Sequence, residues 1–212
     1  MEEMSQLIAD QKFRSQTEMV ASFHGYLSTG AVIGIQMLNL ARRMLGINEE
    51  ERIFVTCETY NCLPDPFQVL AGATIGNKGL KIKDHGKLAA TIVKRGAVGS
   101  KTKAVRIVLD PVKTARYPRL HAWFMKSCKV PHPEAISILI EAGESVYSWE
   151  ILEVEVPGRP RKAIAICQGC KESFIQREEE AFCQACLENL AAIDLKPRCH
   201  PVHKEDALCP QS

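Results

Sequence analysis

The sequence predicts an α+β fold with a mixed β-sheet core and packed helices, followed by a small zinc-binding module. Stretches rich in β-branched residues are interspersed with helical stretches over residues 3–156. A break rich in proline, glycine and positive charge follows at 157–162, and two C-x2-C pairs come after it. These observations divide the chain into a core domain at 1–160 and a four-cysteine module with a tail at 161–212.

Composition limits the classes of function. The chain has 212 residues, 46% hydrophobic and 25% charged, with a net charge of +2, so a nucleic-acid surface would require local clustering of charge. The acidic start, MEEMSQLIAD, has no export signal, and nine cysteines without one favour metal or redox chemistry and a cytoplasmic location. Residues 19–41 lack charged side chains, but interspersed polar residues argue against a membrane span.

The first half of the core begins with two predicted helices, at 3–22 and 30–46. In the second, apolar residues recur at helical spacing, which turns Arg42 and Arg43 outward. Ser28 or Thr29 can cap its start and Gly46 can end it. Gly30 and Gly34 lie four residues apart and predict a smooth face on which another segment packs closely.

The remaining elements follow from local composition and turn residues. Strands are predicted at 52–58, within 76–84 after a turn, at 104–110 and at 145–156; helices are predicted at 64–73, near 112–127 and at 132–142.

The C-terminal cysteines form the most specific motif. Cys167 and Cys170 are followed after twelve residues by Cys183 and Cys186. Zn²⁺ prefers a tetrahedron of ligands, and two C-x2-C turns supply four thiolates. Four thiolates leave no open position, so the predicted Zn²⁺ is structural. The module is too small for an adequate core, and its metal would supply much of its folding free energy. A treble-clef or ribbon-like module is expected.

A second group of reactive residues lies in the stretch FVTCETYNCLPDPFQVL. It runs from a strand end through a loop into a helix, where functional residues often collect. Cys62 lies at the predicted helix start, which stabilises a thiolate. Cys57, in the strand, is expected to be a small buried residue.

Two stretches, FHGYLSTGAVIG and ETYNCLPDPFQVLAGATIGNKGLKIKDHGKLA, resemble the E-subunit family of tungsten/molybdenum formylmethanofuran dehydrogenase. The resemblance is close over about residues 20–95 and loose over the rest of the core, and the zinc module is an appendage that some members carry. The residues that match the family's motifs are Phe23, His24, Gly25, Glu58, Thr59, Asn61, Cys62, Asp65, Gln68, Gly72, Gly76, Asp84, Gly86 and Lys87.

The resemblance implies a homodimer and a metal held between the histidines and cysteines of the two motifs. Tyr26 stands where a second histidine is usual, and Ser28 and Thr29 stand where Cys-Pro is usual. His24 and Cys62 remain as the retained pair. The site is therefore weakened, completed from elsewhere, or used without metal.

The predicted core site consists of His24 and Cys62, with Tyr26 as a hydrogen-bond donor and Asp65 at the helix start. An imidazole and a thiol can serve as a metal pair, for a possible second metal, or as base and nucleophile. The helix that begins near Gly30 could hold an anionic group. His85 is either a neighbour of this site or a surface turn residue, and His121 and His132 are interpreted as structural.

The predicted function is a metal-binding protein of the E-subunit type, with a His/Cys cleft for metal, cofactor or substrate, linked to molybdenum/tungsten one-carbon redox metabolism. It is either an accessory subunit or an oxidoreductase, and its partners are subunits of such enzymes or a small-molecule ligand. The alternative is a nucleic-acid-binding regulator that uses the zinc module and a basic band at 78–106. That band has nine lysines or arginines against Asp84, but no aromatic residue for base stacking.

The tail contains Cys199, His200, His203 and Cys209. These residue types suit a second zinc or completion of the core site, but a terminal segment that contains proline favours a loose tail.

Overall fold

The structure is a computed structural model that describes residues 2–156, 163–176 and 179–194, with side chains from residue 11 to residue 189. The described residues form two compact units, one that ends at Val156 and one that follows it. No helix in these ranges is long and apolar enough to cross a membrane.

The first unit is built on one five-stranded mixed sheet. Its order is β2-β1-β3-β4-β5, and only the β1–β2 pair is parallel. The strands are β1 (Ile53–Cys57), β2 (Leu80–Ile82), β3 (Ala89–Lys94), β4 (Lys101–Leu109) and β5 (Tyr147–Glu155). The helices are α1 (Glu2–His24), α2 (Thr29–Leu45), α3 (Asp65–Ala71), α4 (Pro111–Thr114), α5 (Pro118–Met125) and α6 (His132–Ala142). The predicted α+β core is confirmed.

Helix α2 is the most deeply buried helix of this unit, and its ends follow the sequence prediction. The Ser28 hydroxyl accepts the N–H of Ala31 at 3.2 Å, which caps the start. Gly46 ends the helix in the left-handed region, with φ +59°, where glycine avoids a steric penalty. Thirteen residues of α2 are buried, so the helix packs against the sheet and against its neighbouring helices on nearly all sides.

The prediction that Arg42 points outward was wrong. Arg42 is buried, and its guanidinium donates to the carbonyl of Leu70 at 2.7 Å, near the end of α3. A helix end carries carbonyls without helical partners, and a long side chain can bury its stem while its head reaches one of them. Arg43 is exposed, as predicted, and pairs with Glu144.

The prediction that a segment packs closely on Gly30 and Gly34 is confirmed. A Cβ atom on Gly34 would lie 2.8 Å from the carbonyl oxygen of Leu63 and 2.9 Å from the ring of Pro66. A Cβ atom on Gly30 would lie 3.2 Å from the Cβ atom of Cys62. The glycine face of α2 therefore carries the segment that leads into α3.

Two further differences from the predicted elements have local causes. Strand β3 was not predicted from the sequence, although it is central, between β1 and β4. The helical stretch near 112–127 is two helices, α4 and α5, because the chain leaves the helix after Ala115 and Pro118 begins a new one.

The second unit contains a hairpin and a helix. Strands β6 (Ala163–Ile166) and β7 (Ser173–Gln176) pair antiparallel, and α7 (Gln184–Asp194) follows. The helix, rather than a second hairpin, carries the last two cysteines, which is the treble-clef form of the two alternatives.

Candidate functional site

The four cysteines of the second unit converge on one point. Cys167 and Cys170 lie in the turn between β6 and β7, and Cys183 and Cys186 lie at the start of α7. Their four sulfur atoms all lie within 4.8 Å of one another. Within the described ranges this is the only group of three or more metal-type donors that the fold brings together. The predicted four-cysteine metal-binding site is confirmed as an arrangement of donors.

The protonation of these thiols favours a bound cation. The backbone N–H of Cys183 donates to the sulfur of Cys167 at 3.2 Å and is the main reason that the pKa of Cys167 falls to about 6. Contacts with Cys183 and Cys167 raise the pKa of Cys186 to about 12. Four thiolates in so small a volume repel one another, and a cation removes that penalty.

In the first unit, the end of α1 meets the start of α3. The Nδ1 atom of His24, the last residue of α1, lies 2.5 Å from Oδ2 of Asp65, the first residue of α3. The two side chains are 16% and 22% exposed, so the contact is sheltered but reachable from solvent. The other carboxylate oxygen of Asp65 accepts the Gln68 amide at 3.3 Å.

Cys62 lies beside this contact. It is half-buried, lies against Gly30 of α2, and packs on the cluster formed by Val20, Ala31 and Ile35. Its carbonyl accepts the N–H of Asp65, at 3.4 Å. We call the surface formed by His24, Tyr26, Cys62 and Asp65 the His–Cys corner.

Cys57 contrasts with Cys62. It is fully buried in β1, as expected from the sequence. Burial, with a smaller contribution from the negative charge of Asp65, raises the pKa of Cys57 to about 12. Since the thiolate is the reactive form, Cys57 is inert and serves as an internal reference for Cys62.

Tyr26 connects His24 to a third element. Its ring centroid lies 5.0 Å from that of His24 and 6.0 Å from that of His132, the first residue of α6. The Nδ1 atom of His132 lies 3.3 Å from the backbone nitrogen of Thr29 and 2.7 Å from the Thr29 hydroxyl. Tyr26 and Thr29, two of the positions at which the sequence departs from the motif that it resembles, both contact His132.

His132 was interpreted from the sequence as structural. It follows Thr29 by 103 residues, and no local pattern connects the two. The only local indication was the Pro-His-Pro sequence at 131–133, which marks a helix start and exposes the residue there.

Glu58 organises the second of the two motif stretches rather than the corner. Its buried carboxylate accepts two hydrogen bonds from Arg106, at 2.7 and 3.0 Å, which hold its pKa below the ordinary value. Its carbonyl accepts the N–H groups of His85 and Lys87. The Nδ1 atom of His85 also lies 3.4 Å from this carboxylate. Glu58 therefore fastens the 84–87 turn to the sheet, and His85 belongs to that turn.

The basic band at 78–106 is partly neutralised by acidic residues. Lys94 pairs with Glu51, and Arg106 pairs with Glu58. In the β4–β5 register, Lys101 stands opposite Glu155, and Lys103 stands opposite Glu153. Residues directly opposite in an antiparallel pair share a face. Four of the nine cations thus face a carboxylate, which leaves the nucleic-acid alternative without a continuous positive surface. Cys199, His200, His203 and Cys209 lie outside the described residues.

Comparison with known proteins gives three matches. The family model described as FmdE, Molybdenum formylmethanofuran dehydrogenase operon, matches residues 23–154. The crystal structure of an FmdE-like protein of tungsten formylmethanofuran dehydrogenase, from Syntrophus aciditrophicus, has a TM-score of 0.67 and 26% identity, over 84% of this chain and 92% of that one.

The third match is to part of a longer protein. A probable S-adenosyl-L-methionine-binding protein of Archaeoglobus fulgidus is 35% identical over 101 residues, which are 45% of this chain and 26% of the relative. The chain therefore aligns with about a quarter of the length of that curated relative.

Proposed function

Because the chain belongs to the FmdE family, we propose that it is a metal-binding protein of the formylmethanofuran dehydrogenase E-subunit type whose core binds a small ligand at the His–Cys corner. The observation that supports this proposal is the His24–Asp65 contact. A carboxylate on Nδ1 fixes the orientation of an imidazole and leaves Nε2 free for a ligand or a proton.

Cys62 gives the corner its second reactive group. A half-buried thiol at the mouth of a helix, near an oriented imidazole, can act as a nucleophile while the imidazole takes its proton. In this arrangement His24 and Cys62 would act on the ligand, Asp65 would orient His24, and the Tyr26 hydroxyl would donate a hydrogen bond.

A metal at the corner remains a prediction with only partial support. His24 and Cys62 would supply two donors, because Asp65 is already engaged with His24, and a tightly held metal takes more donors than two. The ligand or another chain would have to supply the rest. Zn²⁺ is proposed for the four-cysteine site, since a tetrahedron of thiolates suits this ion.

The setting of the function is proposed from the family and from the structural neighbour. We assign the protein to molybdenum/tungsten one-carbon redox metabolism, as an accessory subunit or an oxidoreductase, in the cytoplasm. It would form a homodimer or bind subunits of such an enzyme. The curated relative makes S-adenosyl-L-methionine a ligand to test.

The test is chemical labelling of cysteines in the full chain. Iodoacetamide should label Cys62 and leave Cys57 untouched, as mapped by peptide mass spectrometry. His24→Gln should slow labelling of Cys62 severalfold, because the variant lacks the imidazole that pairs with the thiolate. Titration with Co²⁺ and with S-adenosyl-L-methionine should give weaker binding in His24→Gln and in Cys62→Ser. Unchanged labelling together with unchanged binding would reject the corner as a site.

Elemental analysis separates the two metal proposals. One zinc per chain, lost in Cys170→Ser, is the result expected for the four-cysteine site alone. A second metal that is lost in Cys62→Ser would place a metal at the corner. A purified protein without zinc whose second unit stays folded would contradict the zinc assignment.

A further inference from the structure

We propose, on the basis of the proposed ligand site, that His132 is a second ligand-binding residue of the His–Cys corner and presents a hydrogen-bond donor where His24 presents an acceptor. The inference follows from the groups that surround the Nδ1 atom of each ring.

The Nδ1 atom of His24 must carry the proton. Its partner is Oδ2 of Asp65 at 2.5 Å, and the other oxygen of that carboxylate accepts the Gln68 amide. A carboxylate that accepts at both oxygens has no proton to donate. In the neutral ring Nε2 is then unprotonated and accepts a hydrogen bond or a proton from a ligand.

The Nδ1 atom of His132 must lack the proton. The backbone N–H of Thr29 points at it from 3.3 Å, and a backbone N–H can only donate. The Thr29 hydroxyl, at 2.7 Å, donates to the same atom. In the neutral ring the proton of His132 is therefore on Nε2, which is a donor towards solvent. The two imidazoles are held in opposite tautomers by two different protein groups.

The ring of Tyr26 brings these two opposite tautomers together. The separations of 5.0 and 6.0 Å from the two imidazoles mean that the imidazole centroids lie no more than about 11 Å apart. Tyr26 and His132 are exposed, so that a ligand can reach them. Thr29 and His132 are also the first residues of α2 and α6, whose N-termini carry partial positive charge. An acceptor on the ligand is therefore favoured when it is anionic.

This arrangement specifies a class of ligand. It suits a small molecule with a hydroxyl or amine that donates to His24 and a carboxylate that accepts from His132. It does not suit a metal bridged between the two imidazoles. Nε2 of His132 could bind a metal only if the ring moved its proton to Nδ1, where the Thr29 N–H already points.

The tautomers can be measured directly. In a ¹⁵N-labelled full chain, long-range ¹H–¹⁵N spectra distinguish imidazoles protonated on Nδ1 from those protonated on Nε2. We expect His24 in the Nδ1–H form and His132 in the Nε2–H form at a pH where both rings are neutral. An Nδ1–H form for His132 overturns the proposal.

Binding is tested with glycolate, which carries both groups, and acetate, which lacks the hydroxyl. Glycolate should shift the side-chain resonances of both histidines, and acetate should shift mainly those of His132. His132→Phe should weaken glycolate binding by about tenfold or more, the loss of one hydrogen bond to a charged group. His132→Gln keeps an N–H donor and should recover most of the affinity.

His121→Ala is the matched control. His121 makes the same kind of contact, from Nδ1 to the Thr114 hydroxyl at 3.0 Å, but lies on α5. It should bind glycolate as the unchanged chain does. Equal affinity in His132→Phe, or no shift of either histidine in the unchanged chain, overturns the inference.

Failure of the proposed function gives a different pattern. If the His24 and Cys62 variants leave cysteine labelling and Co²⁺ binding unchanged while glycolate still depends on His132, the corner binds a carboxylate without the proposed His–Cys chemistry. If labelling depends on His24 but glycolate binding ignores His132, the function stands and the inference falls.

Discussion

Gly34→Ala should destabilise the first unit and disturb the His–Cys corner, although alanine is the better helix former. The new Cβ atom would meet the carbonyl oxygen of Leu63 at 2.8 Å and ring carbons of Pro66 at 2.9 and 3.3 Å. Neither neighbour is the flexible end of a side chain. The segment that carries Cys62 and Asp65 must therefore move away from α2.

The net cost follows from two opposing effects. Overpacking of a close contact costs about 1–3 kcal/mol, and replacing glycine by alanine inside a helix returns about 1 kcal/mol. A net loss of about 1–2 kcal/mol lowers the melting temperature by about 2–8 °C for a chain of this size. Differential scanning calorimetry of the first unit's transition measures the loss, and iodoacetamide labelling of Cys62 measures the shift of the corner.

Two other glycines provide controls for this substitution. Gly76→Ala places its Cβ atom 4.0 Å from one threonine oxygen and meets nothing closer, so it should leave the melting temperature unchanged or slightly raised. Gly30→Ala, with a contact of 3.2 Å to the Cβ atom of Cys62, should fall between the two. A Gly34→Ala protein as stable as Gly76→Ala, with unchanged labelling of Cys62, would refute the packing argument.

Three more perturbations test other parts of the molecule. Tyr147→Phe should cost about 1–3 kcal/mol in urea unfolding, because the fully buried Tyr147 hydroxyl donates to Gln36 at 2.6 Å and its loss leaves that amide oxygen unpaired. Glu58→Gln should also cost about 1–3 kcal/mol at neutral pH. Arg106 lowers the pKa of Glu58, so this stabilisation is present above the ordinary carboxyl pKa of about 4.3 and is lost as pH falls through the lower folded-state value. Chelation of the metal, or Cys170→Ser, should unfold residues 163–194 and spare the first unit, as hydrogen exchange would show.

Each of these tests has a matched control. Tyr60→Phe removes the hydroxyl of a tyrosine that is 70% exposed and should be neutral. Glu153→Gln removes an exposed charge and should cost much less than Glu58→Gln. Cys62→Ser should leave the second unit folded. The Glu58 argument fails if its variant remains less stable by the same amount well below the folded-state pKa.

Elements with local signals were predictable from the sequence. The start of α2 at Ser28 and its end at Gly46 required only a hydroxyl that caps and a glycine that reverses the chain. The strand at 145–156 and the helix at 132–142 appear as β5 and α6, with small changes at their ends. The four cysteines needed only their spacing. In each case neighbours within about a dozen residues supply the decisive interaction.

Elements that depend on distant partners were not predictable in the same way. β3 contains two alanines and a threonine among six residues, and it becomes a central strand because β1 and β4 pair with both of its edges. Arg42 follows the helical period of an outward residue until α3 ends beside it. His132 becomes a neighbour of Tyr26 only after the sheet has placed α6 against α2.

Helix α2 links the stability of the first unit to the geometry of the proposed site. Its glycine face fixes the segment with Cys62, and its first residue, Thr29, fixes the ring of His132. The Asp65 that orients His24 follows directly on that segment. A substitution that shifts α2 would therefore alter labelling of Cys62 and the tautomer of His132 together, whereas an equally destabilising change at Tyr147, which α2 meets through Gln36, should lower stability and leave both readouts in place. This difference separates damage to the corner from damage to the fold.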